Sequence, residues 1–386
     1  MLIQHSATNY EDILHSTHDL ECNLAARNKT PAVDLSALKE LHRIYLKAIA
    51  RKRNLKKLEE CNSYESRQFE SLEVYLRNLK MAAFKYLITL PNKLDERTPC
   101  GNEDTVIFTK CSDIPANAED HVSIGEKLNV LRYEDKITYY LENDAAKLEL
   151  AVIRFLNNLL LNERKFKPFR NPDTCNRFVL EGVVVDELPK HAIRLLDSYY
   201  VLMGGASLAS FCAVRIDTST HRKFMPEHFF TCGRNYAPEL NSSGLFGVCQ
   251  RTDVSIFVTT SSTEQMWCEF DTNLRWMIEL FESFGLDFRV CYNRAASLTM
   301  AECCRATIQL YSAYEKKFID AARLSVYEAF ISKRLKILCH DAKSETGLVY
   351  IIDGVVISVP SLIACLLERS SDRLFIPDCI RPFMPK

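Results

Sequence analysis

The sequence predicts an α+β protein: an antiparallel helical hairpin, then a larger domain built on an antiparallel sheet flanked by helices. Three observations carry that prediction. Apolar residues recur at alternating three- and four-residue steps up to about Leu90. Beyond His121, β-branched and aromatic runs alternate with irregular loops and amphipathic stretches. The chain has 386 residues, 47% of them hydrophobic, which is enough for two cores rather than one.

Residues 1–92 are expected to be the hairpin, with one proline, at position 31, and no glycine as far as Leu90. From Asp34, Leu38, Leu41, Tyr45, Ala48 and Leu55 mark one helical seam, and after a polar break at Cys61-Asn62-Ser63 it resumes at Phe69, Leu72, Leu76, Leu79, Ala83 and Tyr86. Neither helix can bury its stripe alone, so the pair should fold back on itself. Pro91 disfavours helix in Leu90 and ends the second helix. Residues 93–120, with Pro99, Gly101 and Pro115, read as a linker, and residues 121–386 as the mixed domain.

Within that domain a helix is expected from about Asn143 to Leu161, with Ala146, Leu148, Ala151, Phe155 and Leu159 apolar. Strands are expected at Phe178 to Val185, Phe211 to Ile216, Val254 to Thr259 and Leu348 to Ile357. Helices are expected near Glu269 to Phe284 and Leu362 to Glu368, and adjacent Cys303 and Cys304 read as buried thiols on a helix. Tyr199-Tyr200 and Phe229-Phe230 read as core or interface aromatics.

The 49 basic residues against 50 acidic ones confine any nucleic-acid contact to a local patch. Fifteen scattered cysteines without C-x-x-C pairs fit a reducing compartment and offer no metal site. No apolar stretch reaches the ~20 residues that span a bilayer. Met1 is soon followed by Glu11 and Asp12, unlike an acid-poor transit peptide. His221, His228 and His340 lie in unrelated segments with no nucleophile pattern beside them.

The local patch is on the hairpin. Arg43, Lys47 and Arg51 fall at four-residue steps on one stripe, widened by Lys52, Arg53, Lys56 and Lys57. Cations on a helix face suit phosphates, while a solvated coiled-coil face is the bland alternative, given Glu59 and Glu60. Lys52 falls on a seam position, where an apolar residue is expected.

The most specific pattern lies near the carboxyl end, where Asp353-Gly354-Val355-Val356-Ile357-Ser358-Val359-Pro360-Ser361 runs into an apolar helix ending at Glu368, followed by Pro377 and Arg381-Pro382. With the order of Leu90-Pro91-Asn92, Pro99, Gly101, Glu103, His121, Gly125 and Leu128, it resembles the seryl-tRNA synthetases, class II enzymes that activate serine with ATP. The resemblance covers nearly the whole chain and implies a class II antiparallel sheet. It places Phe169, Arg170 and Pro172 in motif 1, at the dimer interface.

Carried over position by position, the resemblance implies a dismantled active site. The family's motif 3 arginine falls at Ser361, and its T-x-E element at Gly205 and Ser207, so a hydroxyl stands where a carboxylate would pair with the substrate ammonium. Motif 2 becomes Cys232-Gly233-Arg234-Asn235-Tyr236, keeping Arg234 as the expected phosphate contact and losing the glutamate to Tyr236; further on, Gly247 replaces an arginine and Ser255 a glutamate. In the serine-pocket segment Asp320 stands for the opening glutamate, while Val326 and Ile331 replace an asparagine and a glutamine. Each lost charge contact costs on the order of 2–4 kcal/mol of transition-state stabilisation.

Within the family the chain resembles a seryl-tRNA synthetase-like insect mitochondrial branch that has lost the same positions. That implies a non-catalytic protein of the mitochondrial matrix, without cofactor or metal, paired as a heterodimer with mitochondrial seryl-tRNA synthetase. The alternatives are a tRNA or other nucleic-acid binder acting through the hairpin and, last, an active serine-tRNA ligase. No membrane contact is expected.

Overall fold

The computed structural model describes residues 17–29, 35–58, 63–87, 89–111, 119–185, 193–236, 242–342 and 345–386. Met1, Pro31, Asp34, Cys61, Asn62 and Pro115 lie outside the described residues, as do the side chains of Leu38, Leu55, Lys56, Lys57, Ala83 and Tyr86.

A helix at Thr17–Ala26 comes first, followed by the hairpin helices Leu35–Leu58 and Ser63–Leu87. Ala48, Leu72 and Leu76 are buried between the two, with Tyr45, Ile49 and Leu79 half-buried around them. Lys52 does not break the seam: its ammonium reaches Glu73 of the facing helix at 2.6 Å and lies 4.8 Å from the centre of the Phe69 ring.

The main sheet has eight strands. In chain order these are β1 Thr105–Lys110, β4 Lys167–Pro168, β9 Glu227–Tyr236, β10 Gln250–Thr260, β11 Phe288–Tyr292, β12 Cys304–Ser312, β13 Lys317–Glu328 and β16 Tyr350–Ser358. Across the sheet they run β1-β11-β12-β13-β16-β10-β9-β4. Every pairing is antiparallel except β4 with β9. Strand β1 comes from the stretch between hairpin and domain, so part of that stretch is an edge strand and not only a connector.

Strand alternation gives the sheet two faces. On one, Phe230, Cys232, Val254, Ile256 and Val258 join the main core under the helices Asn143–Asn158, Thr263–Ser283 and Val359–Glu368. All ten residues of the last helix are buried, so it carries no polar stripe, and each of its leucines adds about 1.5–3 kcal/mol by burial. Thr263–Ser283 is closed at both ends by local chemistry. Ser262 accepts from the Gln265 amide at 3.2 Å, and Gly285 after its last turn sits at φ +66°.

The opposite face carries the second core around Phe211, Phe229, Phe257 and Ile351. Three expectations fail here. Phe178 to Val185 is largely a helix, Arg177–Val183, capped by Asn176, whose side chain accepts from the Phe178 amide; the first half of Phe211 to Ile216 is the end of the helix Leu208–Ala213, capped by Ser207, and the second half is turn. Both are short and rich in apolar residues, most of them buried, so their composition imitates a core strand. Conversely, Cys303 and Cys304 lead into β12 rather than a helix, and burial pushes their thiols well up, Cys304 to about 12.

Candidate functional site

A cleft of about 380 Å³ opens on the second face of the sheet. Leu180, Val183, Met203 and Leu208 form an apolar wall, and the floor holds Arg251 of β10, Arg305 of β12 and Asp320 and Arg323 of β13. Beneath the three guanidinium groups lies a layer of buried carboxylates. Arg251 Nε is 3.1 Å from Asp253, Arg305 Nη1 is 3.4 Å from Glu302, and Arg323 Nη2 is 3.4 Å from Asp353. Asn235 Nδ2 also donates to Asp253, at 3.0 Å, and Gln309 donates to Asp320 at 2.7 Å.

These acids do not titrate alike. Burial pushes Asp353 up to about 6, partly offset by Arg323. Burial also opposes the charge on Glu302, but Arg305, Arg323, Ser325 and the Thr299 amide outweigh it and hold the carboxyl below its usual range. The difference is one of hydrogen bonding. Glu302 accepts from Thr299 N at 2.7 Å and Ser325 Oγ at 2.6 Å, whereas among the described residues the side chain of Asp353 accepts only the long contact from Arg323.

Among the residues expected at the site, the cleft gathers Ser207, Tyr236 and Asp320. Ser207 is spent on structure: its hydroxyl donates to Gly204 O at 2.8 Å, and the Ser210 amide donates back to it at 3.3 Å. Gly205 lies in the adjoining turn, donating its amide to Asp173 at 2.8 Å. Ser255 is fully buried in β10 on the cleft side, and Ser361 is buried in the first turn of the last helix. Gly247 does not line the cleft. It belongs to the turn Gly244–Gly247, held where the Leu245 amide donates to His121 Nε2 at 3.0 Å.

Arg234 does not enter the cleft either, which corrects its expected role as a phosphate contact. It shares a face with Phe230 and Cys232, towards the main core, and donates to Thr252 at 2.9 Å; Thr252 in turn donates to Glu149. The cleft-side positions of β9 at this level are Gly233 and Asn235. Side chains alternate with period two, so a one-residue offset in reading motif 2 exchanges the faces. Arg251, Arg305 and Arg323 were missed in the sequence. Their common signal, a cation at alternate positions of an otherwise apolar strand, was legible in principle.

In the motif 1 stretch, Phe169 packs edge-on to Phe211 and Phe229, Arg170 donates to Cys232 O at 2.7 Å, and Pro172 is exposed. A neighbouring small sheet of β5 Thr174–Asn176, β7 Tyr200–Leu202 and β6 Ile193–Arg194 carries a larger apolar exposure. Leu196 is 92% exposed, Tyr199 74% and Phe178 61%, with Ile193, Leu195 and Tyr200 beside them.

On the hairpin, Arg43, Lys47 and Arg51 line a groove of about 560 Å³ with Ile44, Leu72 and Tyr75. Arg43 is shared with Glu40, its Nε donating at 2.7 Å, and Lys52 is taken by Glu73; Arg53 is exposed and does not line the groove. His221 and His340 meet on adjacent strands, rings 5.1 Å apart, and His228 pairs with Glu269 at 2.8 Å; none of the three lines the cleft. No group of three potential metal ligands occurs among the described residues, and no described helix is long and apolar enough to cross a membrane.

No family model matches the chain. It is 26% identical over 291 residues to the serine–tRNA synthetase-like protein Slimp of Drosophila melanogaster, covering 72% of this chain but only 62% of that protein, less than two thirds of its length. It is 21% identical to the serine–tRNA ligase of Nitrosopumilus maritimus, over 83% of this chain and 80% of that one, and 22% identical to that of Rubrobacter xylanophilus, over 95% and 91%. Among solved structures, the seryl-tRNA synthetase of Pyrococcus horikoshii complexed with ATP superposes with a TM-score of 0.87 at 19% identity, covering 97% of each chain. The cytoplasmic serine-tRNA ligase of Naegleria fowleri in complex with AMP gives 0.84 at 15%, covering 98% and 94%.

Proposed function

Given a chain that is related in sequence to the seryl-tRNA synthetases and built on their class II fold, we propose that it is a non-catalytic relative that pairs with mitochondrial seryl-tRNA synthetase and stabilises it. The observation that carries this reading is the state of the cleft. Adenylation needs cations on the triphosphate, carboxylates for the metal and an anion for the substrate amine. Here Arg234 faces away, Ser207 caps a helix, and Arg251, Arg305 and Arg323 each lie against a buried acid. A scaffold kept without its chemistry fits a partner subunit, and the exposed apolar face around Leu196, Tyr199 and Phe178 is of the kind protein interfaces cover. The matrix is the compartment this role requires.

Co-expression with mitochondrial seryl-tRNA synthetase tests the proposal. The expected product is a one-to-one complex by native mass, with the synthetase surviving longer in it than alone. Two separate homodimers would refute it.

A second reading, an RNA binder, is favoured by one specific feature: the hairpin groove, where Arg43, Lys47 and Arg51 stand beside Tyr75, an aromatic a base could stack on. The two readings are compatible, since the hairpin and the apolar face are on different elements.

A further inference from the structure

The helical arm and the cleft share one wall. Five consecutive carbonyls, from Thr299 to Cys303, all accept from residues at the root of the arm and the stretch after it. Arg27 donates to Thr299 O at 2.6 Å and Glu302 O at 2.7 Å. Asn92 supplies its backbone amide to Met300 O at 2.7 Å and its side-chain amide to Ala301 O at 2.9 Å. Asp95 N and Thr98 Oγ1 both reach Cys303 O, at 3.0 and 2.8 Å. Arg27 is 1% exposed, and it ties Asn92 to the first helix by donating to Asn92 O and to Asn23 as well.

The other side of the same segment belongs to the cleft. Thr299, Arg305 and Tyr327 line it, and the Glu302 carboxylate gathers Thr299 N, Thr299 Oγ1, Arg305 and Ser325. The Asn92 side-chain amide also donates to Tyr327 O, at 3.0 Å. The root of the arm cannot shift without stripping hydrogen bonds from carbonyls whose own residues shape the cleft, and buried carbonyls are costly to leave unpaired.

We propose that residues 299–303 couple the two sites, with Arg27 and Asn92 as positioning residues. A ligand that pulls on the arm loosens the cleft wall, and a change in the cleft wall alters how firmly the arm is held. The coupling is reciprocal by thermodynamic necessity, whatever either site binds. It acts through local release of the arm rather than global unfolding.

Hydrogen exchange on the full chain reads it from both ends. Glu302→Gln and Thr299→Val disturb only the cleft side, yet should raise exchange at Leu24 to Lys29 and at Asn92 roughly fivefold or more. Arg27→Met should raise exchange around Arg305 and Ser325, and Arg27→Lys should restore part of that protection. Val258→Ala, in the core on the opposite face of the sheet, serves as the control of matched global stability. Should both cleft-side variants leave the arm at its wild-type rate, or should the control loosen the arm equally, the coupling is wrong and Arg27 is an anchor only. Thr299→Val decides the matter if Glu302→Gln does not fold.

Discussion

Reversing the charges of Lys47 and Arg51 should abolish any RNA binding by the hairpin, and the structure sets the size of the effect. The sequence offers seven cations between Arg43 and Lys57. Arg43 is shared with Glu40, Lys52 is engaged by Glu73, and Arg53 lies outside the groove, so the groove itself presents Arg43, Lys47 and Arg51. Three phosphate contacts correspond to a log–log salt slope of about −2 to −3, so raising salt from 50 to 200 mM should weaken binding roughly 20- to 40-fold. A slope near −6 would mean that all seven cations engage. The assay is filter binding or fluorescence anisotropy of the full chain with a serine tRNA across a salt series, for wild type and for Lys47→Glu with Arg51→Glu. Each reversal should flatten the slope by at least one unit. A salt-independent affinity, or a double variant that binds like wild type, would refute phosphate contact by this groove.

Three further outcomes follow from single sites. Glu368→Ala removes the buried acceptor of His121 Nδ1 at 3.2 Å, of Ser312 Oγ at 2.8 Å and, at a longer 3.4 Å, of the Tyr314 amide; the two close donors alone set an expected loss of about 2–6 kcal/mol in urea unfolding, and a loss under about 1 kcal/mol would contradict it. Asp353 has its folded pKa at about 6 against an ordinary 3.8, so the native state holds the proton more tightly. This group's contribution is therefore fully present below about 4 and lost as pH rises through about 6, an effect on the order of 3 kcal/mol. Denaturant melts from pH 4 to 7 should show that decline in wild type and a flatter profile in Asp353→Asn; parallel profiles would count against it. Gly204→Ala places a Cβ 2.1 Å from the Arg234 carbonyl oxygen at φ +94°, so thermal unfolding should report a cost of about 3–5 kcal/mol and unchanged stability would mean the turn can move.

Long-period features of the fold were legible in the sequence. The hairpin seam announces itself through Tyr45, Ala48, Leu72, Leu76 and Leu79, because a coiled stripe repeats over many turns. Strand β10 and the last helix are apolar runs long enough to identify alone. What failed was short or depended on register. Residues 177–183 and 208–213 are too brief and too apolar to show a helical period, and only their caps, Asn176 and Ser207, gave them away. Arg234 was misplaced because motif spacing fixes position along a strand but not which face a side chain takes. Under the cleft, Arg251 with Asp253 and Arg305 with Glu302 are neighbours in sequence, whereas the pairing of Arg323 with Asp353 is made only by the sheet, which the sequence does not announce. Arg27 was invisible for a related reason: the Thr299 and Glu302 carbonyls it holds lie more than 270 residues away.

Serine-dependent ATP–pyrophosphate exchange by the purified chain tests the central claim most directly. With Arg234 turned to the core, Ser207 serving as a helix cap and the cleft arginines set against buried acids, exchange should stay at background even at high enzyme concentration, alone or with added tRNA. Exchange that depends on serine, scales with this chain and survives removal of any co-purifying synthetase would contradict the account.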